Sequence, residues 1–269
     1  PCFVYCSRYY IDTGTETKSQ LDDINNLYQR FEELRETTKR TSEQDNEYKQ
    51  IQKDIKELLQ GRTDALEGLK LGTEAYADAL EKLIETERKE QQSALYDATD
   101  AAKKEMSAGS LNLQRYKTLY DTTAFQDSKA DYDIAQLLSA NGYATAVNEN
   151  NFKFNFSNDT IKNYTNLKNA MELLNEERNK LLDSGKEEEA RAYSTSNAYK
   201  NVEAAYGKCQ AKVEAYIKAL VAEKENEYII QNGLPKTYAE QVKMNDVIFI
   251  KTGLTDDYRN SVNELIPLY

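Results

Sequence analysis

Apolar residues in this chain recur at intervals of three and four. Tyr199, Val202, Tyr206, Cys209, Val213, Tyr216 and Leu220 form the longest series. Leu21, Ile24, Tyr28 and Phe31 repeat the spacing, as do Tyr48, Ile51, Ile55 and Leu58, and then Leu167, Met171, Leu174 and Leu181. An α-helix turns once in about 3.6 residues, so each series makes one apolar stripe and leaves the other faces polar. The pattern predicts a mainly α fold: elongated helical hairpins or a coiled-coil-like bundle, with at most one minor pair of short strands.

Breaks between the stripes divide the chain. Residues 1–16 carry no clear period and are expected to be irregular. Residues 17–60 read as an antiparallel helical hairpin whose turn is the polar run from Thr37 to Ser42. Thr41 with Gln44, or Ser42 with Asp45, supplies the N-cap of its second helix. Residues 61–142 hold a glycine-marked connection, a long helix from Gly72-Thr73 to about Met106, and short helices, the last stopped at Asn141-Gly142. Within the long helix, Glu85 to Gln92 is almost wholly charged or polar and is expected to stand in solvent, the alternative being that it meets a polar partner.

Residues 143–158 are expected to be extended, because Phe152-Lys153-Phe154-Asn155-Phe156 alternates with period two. Val247–Ile250 is the best candidate for a partner strand; the alternative is that both stretches are extended loops. Residues 159–233 read as a second hairpin, one helix ending at Gly185 and the next running from about 186 to 231 before Asn232-Gly233-Leu234-Pro235. Residues 234–269 are expected to hold a short helix from Thr237 or Tyr238, the Val247–Ile250 strand, and a C-terminal helix capped by Thr255.

Composition sharpens this picture. Hydrophobic residues make up 39% of the 269, below the ~45–50% of an ordinary globular domain, which implies thin cores. Only 3 prolines and 10 glycines interrupt the chain, so long helices are permitted. A net charge of −11 argues against a nucleic-acid partner. No run of about eighteen apolar residues is present, so no membrane span is expected in this segment. The chain starts with proline and is expected to be a piece of a longer polypeptide or a processed product.

Candidate chemistry is sparse. Histidine is absent, which removes the commonest general base and the commonest metal ligand. Nothing resembles a P-loop, a dinucleotide fingerprint or a nucleophile elbow. Cys2 and Cys6 do not make a zinc site by themselves, and Cys209 sits on a stripe as a small buried hydrophobe. Asp131-Tyr132-Asp133 lacks the glycine and glutamate of a calcium loop. The carboxylate runs Asp22-Asp23 and Glu187-Glu188-Glu189 read as solvated faces. Sequons at Asn155, Asn158 and Asn163 follow from an Asn- and Thr-rich composition. The residues therefore predict a non-catalytic protein with no catalytic, cofactor-binding or metal-ligating set and no cofactor.

Three stretches resemble bacteriophage tail tape measure proteins, including those of prophages. They are the hairpin Leu21–Leu59 with its turn Thr37 to Asp45, the run from Gly72 to Leu83 with the charged helix that follows, and Thr252-Gly253-Leu254-Thr255-Asp256-Asp257-Tyr258. The resemblance implies an architectural role, helping to set tail length and assembly. Its implied partners are tail tube or tail assembly proteins, or further copies of the chain. The implied location is the virion tail, or the bacterial host cytoplasm during assembly. The alternative is a helical protein-binding module of a bacterial surface or secreted protein.

Overall fold

A computed structural model describes residues 2–59, 64–123 and 128–252. Its helices are α1 (Cys2–Glu36), α2 (Ser42–Leu58), α3 (Glu74–Leu113), α4 (Lys129–Ala140), α5 (Thr160–Asp183), α6 (Glu187–Thr195), α7 (Asn197–Asn232) and α8 (Tyr238–Thr252). Three short strands, β1 (Thr118–Asp121), β2 (Ala144–Asn148) and β3 (Asn151–Phe154), and two 3-10 turns make up the remainder of the regular structure among the described residues. The fold is mainly α with a minor sheet, as the stripes predict. Two compact units share the chain: Pro1–Ala102 with Ile217–Tyr269, and Lys103–Tyr216.

In the first unit, α1 and α2 form the expected hairpin. Thr41 and Gln44 build a reciprocal capping box: the Gln44 N–H donates to Thr41 Oγ1 at 3.2 Å, and the Thr41 N–H donates to Gln44 Oε1 at 2.9 Å. Arg40 closes the other end, donating to the Leu34 carbonyl at 2.9 Å while its guanidinium lies 4.1 Å from the Tyr48 ring centroid. Phe31 stacks on Tyr48 with centroids 5.3 Å apart. Ile24, Leu34, Ile51, Ile55, Tyr76, Leu80 and Ile84 join them in one core beneath α1, α2 and α3. Among its described residues the link from α2 to α3 holds one 3-10 turn, Asp64–Leu66. It is pinned where the Gly72 N–H donates to the fully buried Gln52 Oε1 at 2.8 Å. Gly72 has φ +84, a left-handed conformation that glycine adopts without penalty.

The expected irregular segment 1–16 is corrected, because α1 is helical from Cys2. At Gly14 a residue without a side chain makes the contact, which an apolar period does not mark. Gly14 faces Ala98 of α3 so closely that a methyl group on Gly14 would overlap Ala98 Cβ. The expected strand Val247–Ile250 is corrected too: it lies within α8. There Gln241, Met244 and Ile248 fall at helical spacing on the buried face. Thr237 and Glu240 cap the helix reciprocally, with the Glu240 N–H donating to Thr237 Oγ1 at 3.2 Å and the Thr237 N–H to Glu240 Oε2 at 3.1 Å. The capped stripe outweighs the β preference of Val247, Ile248 and Ile250. The expected helix after Thr255 lies outside the described residues.

In the second unit, the alternating Phe152-Lys153-Phe154 is the central strand of a β1-β3-β2 antiparallel sheet. Its partners are therefore β1 and β2, and not residues of α8. Phe152 and Phe154 turn inward, and Phe152, Tyr120 and Tyr132 meet edge to face. Thr118–Asp121, in the stretch where the sequence predicts short helices after Met106, is a strand; α3 continues past Met106 to Leu113 and ends in a 3-10 turn before β1. Asp159 caps α5, accepting the Ile161 N–H at 2.9 Å, and Gly185 ends the connection beyond it with φ +72. Tyr164 of α5 stacks on Tyr206 of α7 at 5.7 Å, and the Tyr199 hydroxyl donates to Asn175 Oδ1 at 2.7 Å. The α5 and α7 stripes therefore meet, as expected of a hairpin.

The single helix expected over 186–231 is broken into α6 and α7 at Ser196. Ser196 is extended, at φ −62 and ψ 157. Its hydroxyl donates to the Tyr193 carbonyl at 2.8 Å and accepts the Tyr199 N–H at 3.3 Å. Asp131 of α4 then accepts the Ala198 N–H at 2.7 Å. Side chains thus satisfy two of the N–H groups that the first turn of α7 leaves free.

Candidate functional site

From the sequence no catalytic or ligand-binding residues are expected, and buried polar side chains mark the candidate positions. The densest case lies in the first unit, where α1, α3 and α7 meet. An apolar contact of Leu21, Leu95 and Ala222 joins the three helices, and a polar layer lies beside it. Arg88 of α3 is 4% exposed and Asn226 of α7 is 3% exposed. Arg88 Nη2 donates to Asn25 Oδ1 of α1. Asn226 Nδ2 donates to the Arg88 carbonyl and to Gln92 Oε1, both at 2.9 Å. On the α1 side, Thr17 Oγ1 donates to Gln91 Oε1 at 3.3 Å, and Gln91 Nε2 donates to Glu87 Oε1 at 2.6 Å.

The stretch from Glu85 to Gln92, expected to stand in solvent, thus buries Glu87 and Arg88. A signal for this was present: Leu80, Ile84, Arg88, Gln91 and Leu95 keep the three–four spacing, so Arg88 occupies a stripe position. Long charged side chains at such positions cover apolar surface with their stems.

The electrostatics of the layer favour structure. Burial lowers the Arg88 guanidinium to about 10, against the pull of Glu225, Tyr28 and Asp22. It remains charged at neutral pH. Lys18 sits above its ordinary value: burial works to lower it, and Glu225, at 2.9 Å, and Asp22 outweigh that. Asp22, read from sequence as solvated, is paired with Lys18.

A second polar feature of the same unit runs along α1. Arg35 Nη1 lies 3.2 Å from Glu81, its Nε donates to Glu74 Oε1 at 2.7 Å, and Asp78 is also bonded to it. Tyr28 donates to Glu81 Oε1 at 2.9 Å, and burial first, then that bond, raises its phenol. Next to this clasp is a groove of about 250 Å³ between α1 and the start of α8, bordered by Tyr28, Glu32, Glu36, Pro235 and Tyr238. Lys236 crosses it, 3.0 Å from Glu32 and 3.5 Å from Glu36. Among the described residues Glu32 Oε1 makes no hydrogen bond but lies 3.6 Å from Arg35 Nη1, an ion-pair distance.

The remaining residues singled out in the sequence fall elsewhere. Cys209 is buried on the inner face of α7, and burial raises its thiol to about 11. A thiol held protonated is a poor nucleophile. Asp131 serves α7 as described, while Glu187, Glu188 and Glu189 occupy the exposed first turn of α6. Asn163 is wholly buried, accepting the Ser157 N–H at 2.8 Å and donating to the Ser157 carbonyl at 2.9 Å. Its amide is therefore engaged in the loop entering α5. Among the described residues no three carboxylate, histidine or cysteine side chains converge to hold a metal ion. No described helix is long and apolar enough to cross a membrane. The side chains of Cys2 and Cys6 lie outside the described set.

Comparison with known proteins finds no family model, no curated protein and no solved structure that matches the chain.

Proposed function

We propose that this chain is a non-catalytic helical scaffold that acts through protein contacts. The observation that carries the reading is the way its stripes are met by its own helices. Phe31 of α1 stacks on Tyr48 of α2, and Tyr164 of α5 on Tyr206 of α7. A chain whose seams close on themselves holds its shape and presents polar faces outward.

Within that class, the proposed setting is a segment of a phage tail tape measure protein. Support comes from the three resembling stretches, of which residues 253–258 lie outside the described part. An in-frame deletion of this segment from the parent gene tests the setting. Tails measured by electron microscopy should shorten, and a copy of the gene supplied in trans should restore their length. Unchanged tail length, or a parent gene remote from tail genes, would overturn it.

The groove beside Tyr28 and Tyr238 favours a second reading, a binding module of a bacterial surface or secreted protein. A cleft with aromatic walls and a carboxylate rim suits a basic peptide. An export signal in the parent gene separates this reading from the first.

A further inference from the structure

The second unit contains a cavity of about 370 Å³ walled by α4, α5 and α6. That volume falls within the roughly 300–1,000 Å³ of small-molecule sites. Each helix sends one carboxylate to it: Asp133 from α4, Glu177 from α5 and Glu189 from α6. Leu137 and Leu181 supply apolar wall between them. Among the described lining residues Lys129 is the one base.

Tyr193 gives the cavity its second mark. The residue is 5% exposed and lines the cavity, yet its hydroxyl has no hydrogen-bond partner among the described residues. A buried hydroxyl is ordinarily hydrogen-bonded, and an unpaired one is destabilising. Burial, then the nearby Glu177, Tyr199 and Asp133, raises its phenol, which keeps the hydroxyl neutral.

The wall is thus rich in acceptors and poor in donors, which matches a ligand carrying N–H groups. The carboxylates do not converge as metal ligands do. Charges spaced along a wall with leucine between them fit cationic nitrogens joined by methylenes. The carboxylates are also free to exchange partners. Glu177 pairs with Lys180 at 3.2 Å and Glu189 with Lys186 at 3.3 Å, both within one helical turn on the surface. Exposed pairs of this kind contribute little to stability.

We propose that this cavity binds an alkyl ammonium group, with Asp133, Glu177 and the Tyr193 hydroxyl accepting its N–H bonds and Leu137 and Leu181 packing on its methylenes. The group comes either from a free aliphatic polyamine or from a lysine side chain of a partner. The inference stands independently of the scaffold reading.

Titration calorimetry on the full chain tests it, with spermidine, a lysine-containing peptide, the same peptide acetylated on lysine, and butane-1,4-diol as probes. Saturable binding at a single site is expected for spermidine, the lysine peptide or both. The acetylated peptide and the diol should not bind. Binding of spermidine alone identifies a free amine, and binding of the peptide alone identifies a partner's lysine. The double variant Asp133→Asn/Glu177→Gln should weaken binding about tenfold or more, equivalent to ~1.4 kcal/mol. Tyr193→Phe, which preserves the ring, should weaken it several-fold with the helical circular dichroism unchanged. Glu188→Gln, an exposed change on the same helix outside the lining, should leave affinity as it is. No saturable binding, an equal loss in Glu188→Gln, or unchanged affinity in a folded Tyr193→Phe chain would overturn the proposal.

Discussion

The Asp131 carboxylate accepts the backbone N–H of Ala198 at 2.7 Å, so a side chain of α4 holds the first turn of α7. Asp131 is 1% exposed, and water does not replace it. The bond also places negative charge at the positive end of a helix dipole.

Asp131→Ala should therefore destabilise the chain by about 1–3 kcal/mol, through an unpaired N–H and a lost cap. Asp131→Asn keeps an acceptor oxygen and should lose less. Urea titration followed by circular dichroism measures both. A cost under about 0.5 kcal/mol for the alanine variant would show that the bond is incidental to the α6–α7 break.

Two helical glycines should respond to alanine with opposite signs. Gly207 in α7 has open space around it, so Gly207→Ala should stabilise by about 0.5–1 kcal/mol through helix propensity. Gly14 carries the same propensity gain, but the new methyl group meets Ala98. Overpacking of this kind costs about 1–3 kcal/mol, so Gly14→Ala should be net destabilising. Thermal melts of the two variants side by side decide the matter.

Arg88 is buried with Nη1 lacking a hydrogen bond among the described residues. Buried charges are often replaced by apolar residues of similar length at little cost or with a gain of about 1–4 kcal/mol. Arg88→Met should accordingly leave stability equal or higher. Asn25→Ala should cost about 1–3 kcal/mol, since it removes an acceptor from a guanidinium that stays buried. Denaturant midpoints report the contrast. A large loss in Arg88→Met would mean that the guanidinium itself holds α1, α3 and α7 together.

Alkaline pH should weaken the fold before any helix loses its core. The Cys209 thiol is raised by burial to about 11 from an ordinary value of 9.0. The Tyr28 and Tyr193 phenols are also raised, chiefly by burial. The folded state holds these protons more tightly than the unfolded chain, so their contribution is complete below the unfolded values and falls as pH rises through the folded ones. For Cys209 the decline should run from about 9 to about 11. Urea midpoints from pH 8 to 11 follow the decline. Peptide-resolved alkylation should show Cys209 protected in the native chain and labelled after denaturation.

Local signals marked the helices well. The Thr41–Gln44 box, Asp159 at the start of α5, and Gly185 and Gly233 beyond α5 and α7 all act within about one turn. A helix bonds residue to residue four apart, so its stripe and caps are written close together in the sequence. Phe152 and Phe154 marked a strand for the same reason, since period two is local. What only the tertiary structure decided involved distant partners. At the break by Ser196, the first turn of α7 is capped by Asp131, 67 positions from Ala198. Val247–Ile250 became helical through its place on the stripe of α8. Arg88 was buried by Asn25 of α1 and Asn226 of α7, and the Tyr193 cavity required α4, α5 and α6 together. Periodicity records which face of an element is apolar, but burial of a polar side chain depends on which other element covers that face, and that is a property of the packed chain.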